Sequence, residues 1–243
     1  MRKLDVVGTD VFLWTPEPGA GGRPERAGAP LGAGDAHADI PVVYLHEFEG
    51  DGRNVWEACL QLGCPPFALA VMPVPSWDDE LSPWPAPPTF KGAQPYAGRA
   101  AERLGLLTSH VMPAMAEALL PARPSLQALV GYSLAGLFAA WAPFATDAFA
   151  RVASVSGSLW YPDFAEFART HEPAPTLERA YFSLGDREAK TRNAYLRTVE
   201  DRTREVERSL AGRGIATTFD LNPGNHFTDE PGRTARGIAW LLS

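Results

Sequence analysis

Short, continuous apolar runs separated by amphipathic segments set the reading of this chain. Ile40-Pro41-Val42-Val43-Tyr44-Leu45, Phe67 to Met72, Leu126 to Val130, Val152 to Ser156, Tyr181 to Leu184 and Ala216 to Leu221 are each too short for a buried helix. Each is bounded by turn residues, so each reads as a strand. An earlier stretch, Leu4 to Trp14, reads as one or two strands. Between the runs, apolar positions recur at helical spacing over Val55–Leu62, Tyr96–Leu120, Leu137–Trp141, Asn193–Ala211 and Gly232–Leu242. Pro113 falls inside the second of these and predicts a kink or a break between two helices. Strand, helix and strand in alternation predict βαβ units, hence an α/β fold with a mainly parallel central sheet and helices on both faces.

Two stretches escape this rhythm. Residues 15–39 are Gly, Pro and Ala with few large apolar side chains, and read as a mobile surface loop. Residues 73–95 hold many prolines around Trp77-Asp78-Asp79-Glu80 and Trp84, which predicts a fixed loop without regular structure. That loop leaves the end of a core strand, where open α/β sheets place their sites. Trp77 and Trp84 are therefore either an aromatic wall of a pocket or a cover for apolar surface.

Length and composition narrow the classes. A chain of 243 residues suits one large α/β domain better than two small ones. A formal net charge of −7 argues against nucleic acid or an anionic membrane as partner. The apolar runs are too short to cross a bilayer. The basic start of Met1-Arg2-Lys3 has the look of a leader, but Asp5 and Asp10 interrupt the apolar region that should follow, so a cytoplasmic protein is the expectation. Cys59 and Cys64, without a nearby His or further Cys, read as buried free thiols and not as a metal site.

The chemistry concentrates at strand ends. Gly131-Tyr132-Ser133-Leu134-Ala135-Gly136 joins a predicted strand to a predicted helix, with small residues flanking the serine. That pattern is a nucleophile elbow, with Ala135 where glycine is usual, or else a strand–helix turn in which Ser133 is a cap. Asp186 and Glu188 follow the Tyr181–Leu184 run, and His226 follows the last strand. In a parallel sheet these ends share one edge. A serine hydroxyl needs a base to take its proton, and the base needs a third group to fix its tautomer. Ser133, then an acid, then His226 supply such a set in α/β-hydrolase order. His46 and His110 are rival bases: His110 lies in mid-helix, and His46 ends a strand where it would line the pocket. Either Asp186 or Glu188 could be the acid.

Together with Pro41 to His46, Ser156-Gly157-Ser158-Leu159-Trp160, Leu184-Gly185-Asp186-Arg187-Glu188 and Gly224-Asn225-His226, the elbow resembles the esterase branch of the α/β hydrolases that includes esterase D and the enterobactin esterases. The resemblance runs from about Ile40 to the C terminus. It implies an α/β-hydrolase fold and a serine esterase acting through an acyl-enzyme on a small-molecule ester, with no cofactor and no metal. Ser133 would be the nucleophile, His226 the base, and Glu188, three residues after Gly185, the acid in preference to Asp186. The backbone amides of Leu134 and Phe48 would form the oxyanion hole. Where relatives often read His-Gly, this chain reads His46-Glu47-Phe48, so Glu47 must turn away from a developing negative charge or serve another purpose. His46, Glu47, Tyr132, Trp77, Trp84 and Trp160 are the pocket candidates. An acyltransferase or thioesterase on the same site is one alternative, and a hydrolase-fold binding protein without turnover is the other. The resemblance allows siderophore lactones, sugar esters and small activated esters, with Arg53, Lys91 and Arg99 as possible contacts to an anionic substrate. Neither the substrate nor the oligomeric state is fixed by these residues.

Overall fold

The computed structural model describes residues 1–16 and 39–243. The stretch expected as a mobile loop, 15–39, lies outside the described residues except at its ends. Strands β1 (Arg2–Val6), β2 (Thr9–Trp14), β3 (Ile40–Glu47) and β4 (Ala68–Pro73) follow one another along the chain. After them come the two-residue strands β5 (Pro85–Ala86) and β6 (Tyr96–Ala97), which pair with each other. Strands β7 (Pro124–Tyr132), β8 (Arg151–Val155), β9 (Arg179–Gly185) and β10 (Ala216–Asn222) complete the set.

One eight-stranded sheet has the order β1-β2-β4-β3-β7-β8-β9-β10. β1 and β2 form an antiparallel hairpin whose turn, Val7-Gly8, has φ of 54° and 75°. Positive φ at both loop positions matches the twist of the flanking strands. β2 runs antiparallel to β4, and every further pair through β10 is parallel. The expected mainly parallel sheet is present.

Its central strands are apolar on both faces, as a sheet covered on both sides requires, while the edge strands β1 and β10 are largely exposed or half-buried. In β3, Val42 and Tyr44 join one core, while Val43 and Leu45 join the other. The second core is closed by α1 (Arg53–Leu62) and α8 (Glu230–Leu242) through Val55, Trp56, Ile238 and Leu241. The first lies under α3 (Ala100–Leu106), α4 (Met112–Leu119), α5 (Leu134–Trp141), α6 (Phe164–Thr170) and α7 (Val199–Ala211).

Three expectations need correction. The Pro-rich segment 73–95 holds a one-turn helix, α2 (Trp77–Glu80), besides β5. Residues 76–82 carry no proline, and one helical turn fits between Pro75 and Pro83. Pro113 does not break the helix: residues 107–111 form a π turn that joins α3 to α4 without interruption. In an α-helix the proline ring would clash with the carbonyl four residues earlier, and the wider turn relieves that clash. Cys59 is buried as expected, but Cys64, just past the Gly63 cap of α1, is only partly so; both are free thiols.

Candidate active site

The elbow between β7 and α5 is built by steric exclusion. Ser133 has φ 58° and ψ −122°, outside the regions that non-glycine residues favour. Such a conformation persists only where its surroundings enforce it. They do so through close approach: a Cβ on Gly131 would lie 2.1 Å from the carbonyl oxygen of Ala135, and one on Gly136 would lie 2.9 Å from Gly157 Cα. The Ala135 methyl group fits because the residue facing it, Gly131, has no side chain. The Ser133 amide donates to Val155 O (3.1 Å), and its carbonyl accepts from Ser158 N (2.9 Å), locking the turn to the end of β8. Ser133 is not a helix cap by side chain; its hydroxyl faces His226 instead.

Ser133 Oγ lies 3.1 Å from His226 Nε2, and His226 Nδ1 lies 2.8 Å from Glu188 Oε2. Three side chains from the ends of three parallel strands thus form one hydrogen-bonded row. Asp186 takes no part in it. Its Oδ1 accepts from Gly224 N (2.8 Å), and its own amide donates to Asn222 O (2.7 Å). Asp186 therefore ties the Glu188 loop to the His226 loop.

Glu188 is buried, which by itself raises a carboxyl pKa, yet its carboxyl sits below the usual range. Hydrogen bonds from His226, from the Gly185 amide and from Ser156 outweigh the loss of water. Ser156 Oγ donates to Oε1 at 2.8 Å, and Arg233 Nη1 lies 3.2 Å from the same oxygen. Arg233 is buried on α8, where it also donates to Ser156 Oγ (3.1 Å) and to the Pro223 carbonyl (2.9 Å). A Cβ on Gly185 would fall 2.9 Å from its guanidinium, so a glycine is needed there. Neither Ser156 nor Arg233 was an expected site residue. The signal for Arg233 is its place on the buried stripe Arg233-Gly237-Ile238-Leu241 of α8, where a charge requires a partner.

The row opens into a cavity of about 350 Å³ lined by Ser133, Leu134, Ser156, Ser158, Glu188 and His226. Trp77, Asp78, Phe90, Tyr96, Trp160, Leu196, Val199 and Phe227 line the rest. The Leu134 amide stands in the first turn of α5, where helix N–H groups have no intrahelical acceptor. The Phe48 amide follows the end of β3 and is not among the paired turn donors around the site. Phe48 itself is exposed, and its ring meets Trp77 edge-on at 5.8 Å.

Of the pocket candidates, Trp77 and Trp160 line the cavity, and the others lie behind or beside it. His46 is buried with neither nitrogen hydrogen-bonded among the described residues, and its ring meets the edge of Phe138 at 4.9 Å. Burial, with Arg103 adding to it, holds its pKa well below the ordinary histidine value, so it is a neutral core imidazole. Tyr132 is buried and donates from its hydroxyl to the His226 carbonyl (2.5 Å), steadying the histidine loop. Trp84 packs on Phe167 at 5.2 Å and donates from Nε1 to Pro162 O (3.1 Å), pinning the Pro-rich segment to the start of α6. Glu47 turns away from the cavity toward Gly52, Asp51 and Glu230. Of the cations considered for an anionic substrate, Arg53, Lys91 and Arg99, none is in the lining.

No protein-family model matches the chain. The sequence is 26% identical over 182 residues to the uncharacterized protein YbbA of Bacillus subtilis (strain 168), covering 72% of this chain and 73% of that protein. Among solved structures, the siderophore hydrolase EstB from Aspergillus nidulans superposes with a TM-score of 0.74 at 19% identity, over 99% of this chain and 94% of that one. An IroE-like serine hydrolase from Shewanella oneidensis superposes with a TM-score of 0.73 at 16% identity, over 99% of this chain and 79% of that one. At such identities the likeness is one of architecture, and with the strand order and elbow described above it places this chain in the α/β-hydrolase fold.

Proposed function

We propose that this protein is a serine esterase that cleaves carboxylic esters of small molecules through an acyl-enzyme. The observation that carries the reading is the unbroken row Ser133–His226–Glu188 at the floor of a mainly apolar cavity. His226 Nε2 takes the hydroxyl proton as Ser133 Oγ attacks the ester carbonyl, while Nδ1–H stays bonded to Glu188. Glu188, held ionised by its donors, stabilises the imidazolium without itself taking the proton. The amides of Leu134 and Phe48 receive the oxyanion. His226 then protonates the departing alcohol, and water, activated by the same histidine, releases the acid from Ser133. Glu47 does not oppose the oxyanion, because it is not part of the cavity lining.

That the structures with this architecture include a siderophore hydrolase and a serine hydrolase supports the reaction class. The test is labelling with a fluorophosphonate followed by peptide mapping. Label on Ser133 that His226→Ala suppresses is the expected result. A folded protein whose Ser133 stays unlabelled would leave a hydrolase-fold binding protein as the better reading.

A further inference from the structure

The helical turn α2 carries three successive acids, and they are treated differently. Asp79 accepts from the Ala97 amide (3.1 Å) and pairs with Arg99 (3.6 Å). Glu80 pairs with the buried Arg103 (3.4 Å). Asp78 has neither a hydrogen bond nor an ion pair among the described residues, and it lines the cavity beside Ser133. The rings of Trp77, Tyr96 and Trp160 line the same cavity. Among the described residues the lining includes two carboxylates, Asp78 and Glu188, and no lysine or arginine. Glu188 is already neutralised by Arg233 behind the cavity wall. Among the described residues the uncompensated charge that a ligand meets is therefore negative and shares the cavity with aromatic rings, the pairing by which proteins hold organic cations.

We propose that Asp78, with the rings of Trp77, Tyr96 and Trp160, forms a cation subsite, and that the substrates are apolar esters bearing an ammonium or similar cationic group. The proposal rests on the ester-hydrolase reading of Ser133. Asp78 is exposed as a residue, and partial loss of water, then the Asp79 carboxylate next to it, push its carboxyl above its usual range. An anionic ester would meet the same carboxylate without a counter-charge.

Binding tests the subsite without turnover. Titration of tryptophan fluorescence with benzyltrimethylammonium should show saturable binding about tenfold or more tighter than with phenylacetate. Asp78→Asn should remove most of that difference, and Asp78→Glu should keep part of it. Kinetics then test the substrate class. Phenylacetate esters of choline, of 3,3-dimethylbutanol and of 3-hydroxypropanoate place the charge on the alcohol. 4-Nitrophenyl esters of 4-(aminomethyl)-, 4-ethyl- and 4-carboxyphenylacetic acid place it on the acyl group.

In one of the two series, kcat/KM should rise about tenfold from neutral to cationic ester and fall for the anionic one. Equal binding of the two ions, or cationic and neutral esters within twofold in both series, overturns the proposal. A wild-type preference that survives in Asp78→Asn overturns the role of Asp78. Hydrolysis of the neutral ester that Ser133→Ala abolishes supports the hydrolase reading whichever way the charge preference falls. Absence of both turnover and fluorophosphonate label defeats that reading while the binding titration still decides the subsite.

Discussion

The floor of the cavity and its wall are made by opposite means. The floor is polar, and its charges are met: Glu188 accepts from His226, Ser156 and the Gly185 amide and is paired with Arg233. The wall is mostly apolar and aromatic, with Asp78 its one carboxylate among the described residues, and its rings meet through contacts such as Tyr96 with Trp160 at 6.4 Å and not through hydrogen bonds. Floor residues hang from strand ends whose positions the sheet fixes. Wall residues come from irregular segments, from the short α2 and from the start of α7. A floor built this way tolerates little change, because each group completes another's hydrogen bonding. A wall of rings can change shape at moderate cost, which is where substrate preference is set on a common fold.

The largest effect should come from the floor. Ser133→Ala should lower ester hydrolysis by about 10⁴-fold or more without loss of structure, because a methyl group fits where the hydroxyl stood. Steady-state turnover beside a circular dichroism melt would check both halves. Unaltered hydrolysis would end the comparison, since the floor would then carry no chemistry.

Next is Arg233→Met. It leaves the Glu188 carboxylate buried without its cation and strips a donor from Ser156 and from the Pro223 carbonyl. Breaking a buried pair from one side costs about 3–5 kcal/mol. Urea unfolding should show a loss of that size, together with a fall in kcat as Glu188 loses its fixed position. A variant as stable as wild type would mean that the floor is less tightly coupled than its hydrogen bonds indicate.

Most of the floor is legible in the sequence, and the reason is periodicity. Short apolar runs placed Ser133, Glu188 and His226 at the ends of separate strands, and the parallel sheet brings those ends to one edge. Asp186 and Glu188 could not be told apart by pattern, because two residues in one turn differ only in which way they face. Arg233 was missed because a helix rich in charge conceals one buried arginine. The wall was half legible: the Trp77 and Trp160 segments stand out, Leu196 and Val199 read only as core positions of the 193–211 helix, and Phe90 and Phe227 reach the cavity from loops that no short-range pattern encodes. His46 shows the converse. Its place at a strand end suggested the pocket, but the side chain of a residue there faces one side of the sheet or the other, and His46 faces Phe138.

The two tryptophans of the Pro-rich segment sharpen the comparison within the wall. Trp160→Ala and Trp77→Ala should each raise KM for an aryl ester by about tenfold with a smaller change in kcat, since they remove contact area the bound substrate would use. Trp84→Ala should leave a stability loss of about 2–3 kcal/mol, because it removes a half-buried anchor that packs on Phe167 and bonds Pro162. KM for the three variants and their unfolding midpoints would separate wall from anchor. Equal KM changes in Trp77→Ala and Trp84→Ala would mean that the Pro-rich segment moves as a unit.

The smallest effect concerns the other carboxylate near the site, and it isolates what the floor does to Glu188. Glu47 and Glu188 are both largely removed from water, yet their pKa values move in opposite directions. Burial, then the Glu230 and Asp51 carboxylates, push Glu47 up to about 7, with the nearby Gly52 amide only partly opposing them. Glu188 has donors enough to go the other way. The folded protein therefore keeps a proton on Glu47 between pH ~4.5 and ~7, where the unfolded chain has released it. With fewer protons bound in the unfolded state, the unfolding free energy falls as pH rises through that window. Glu47→Gln, which cannot ionise, removes this dependence and should spare the protein about 1–2 kcal/mol of the loss between pH 5 and pH 8. Urea midpoints at the two pH values, wild type beside Glu47→Gln, measure the difference. Identical pH dependence in the two proteins would place Glu47 in water, and the contrast with Glu188 would then reduce to exposure and not to the number of donors each carboxylate receives.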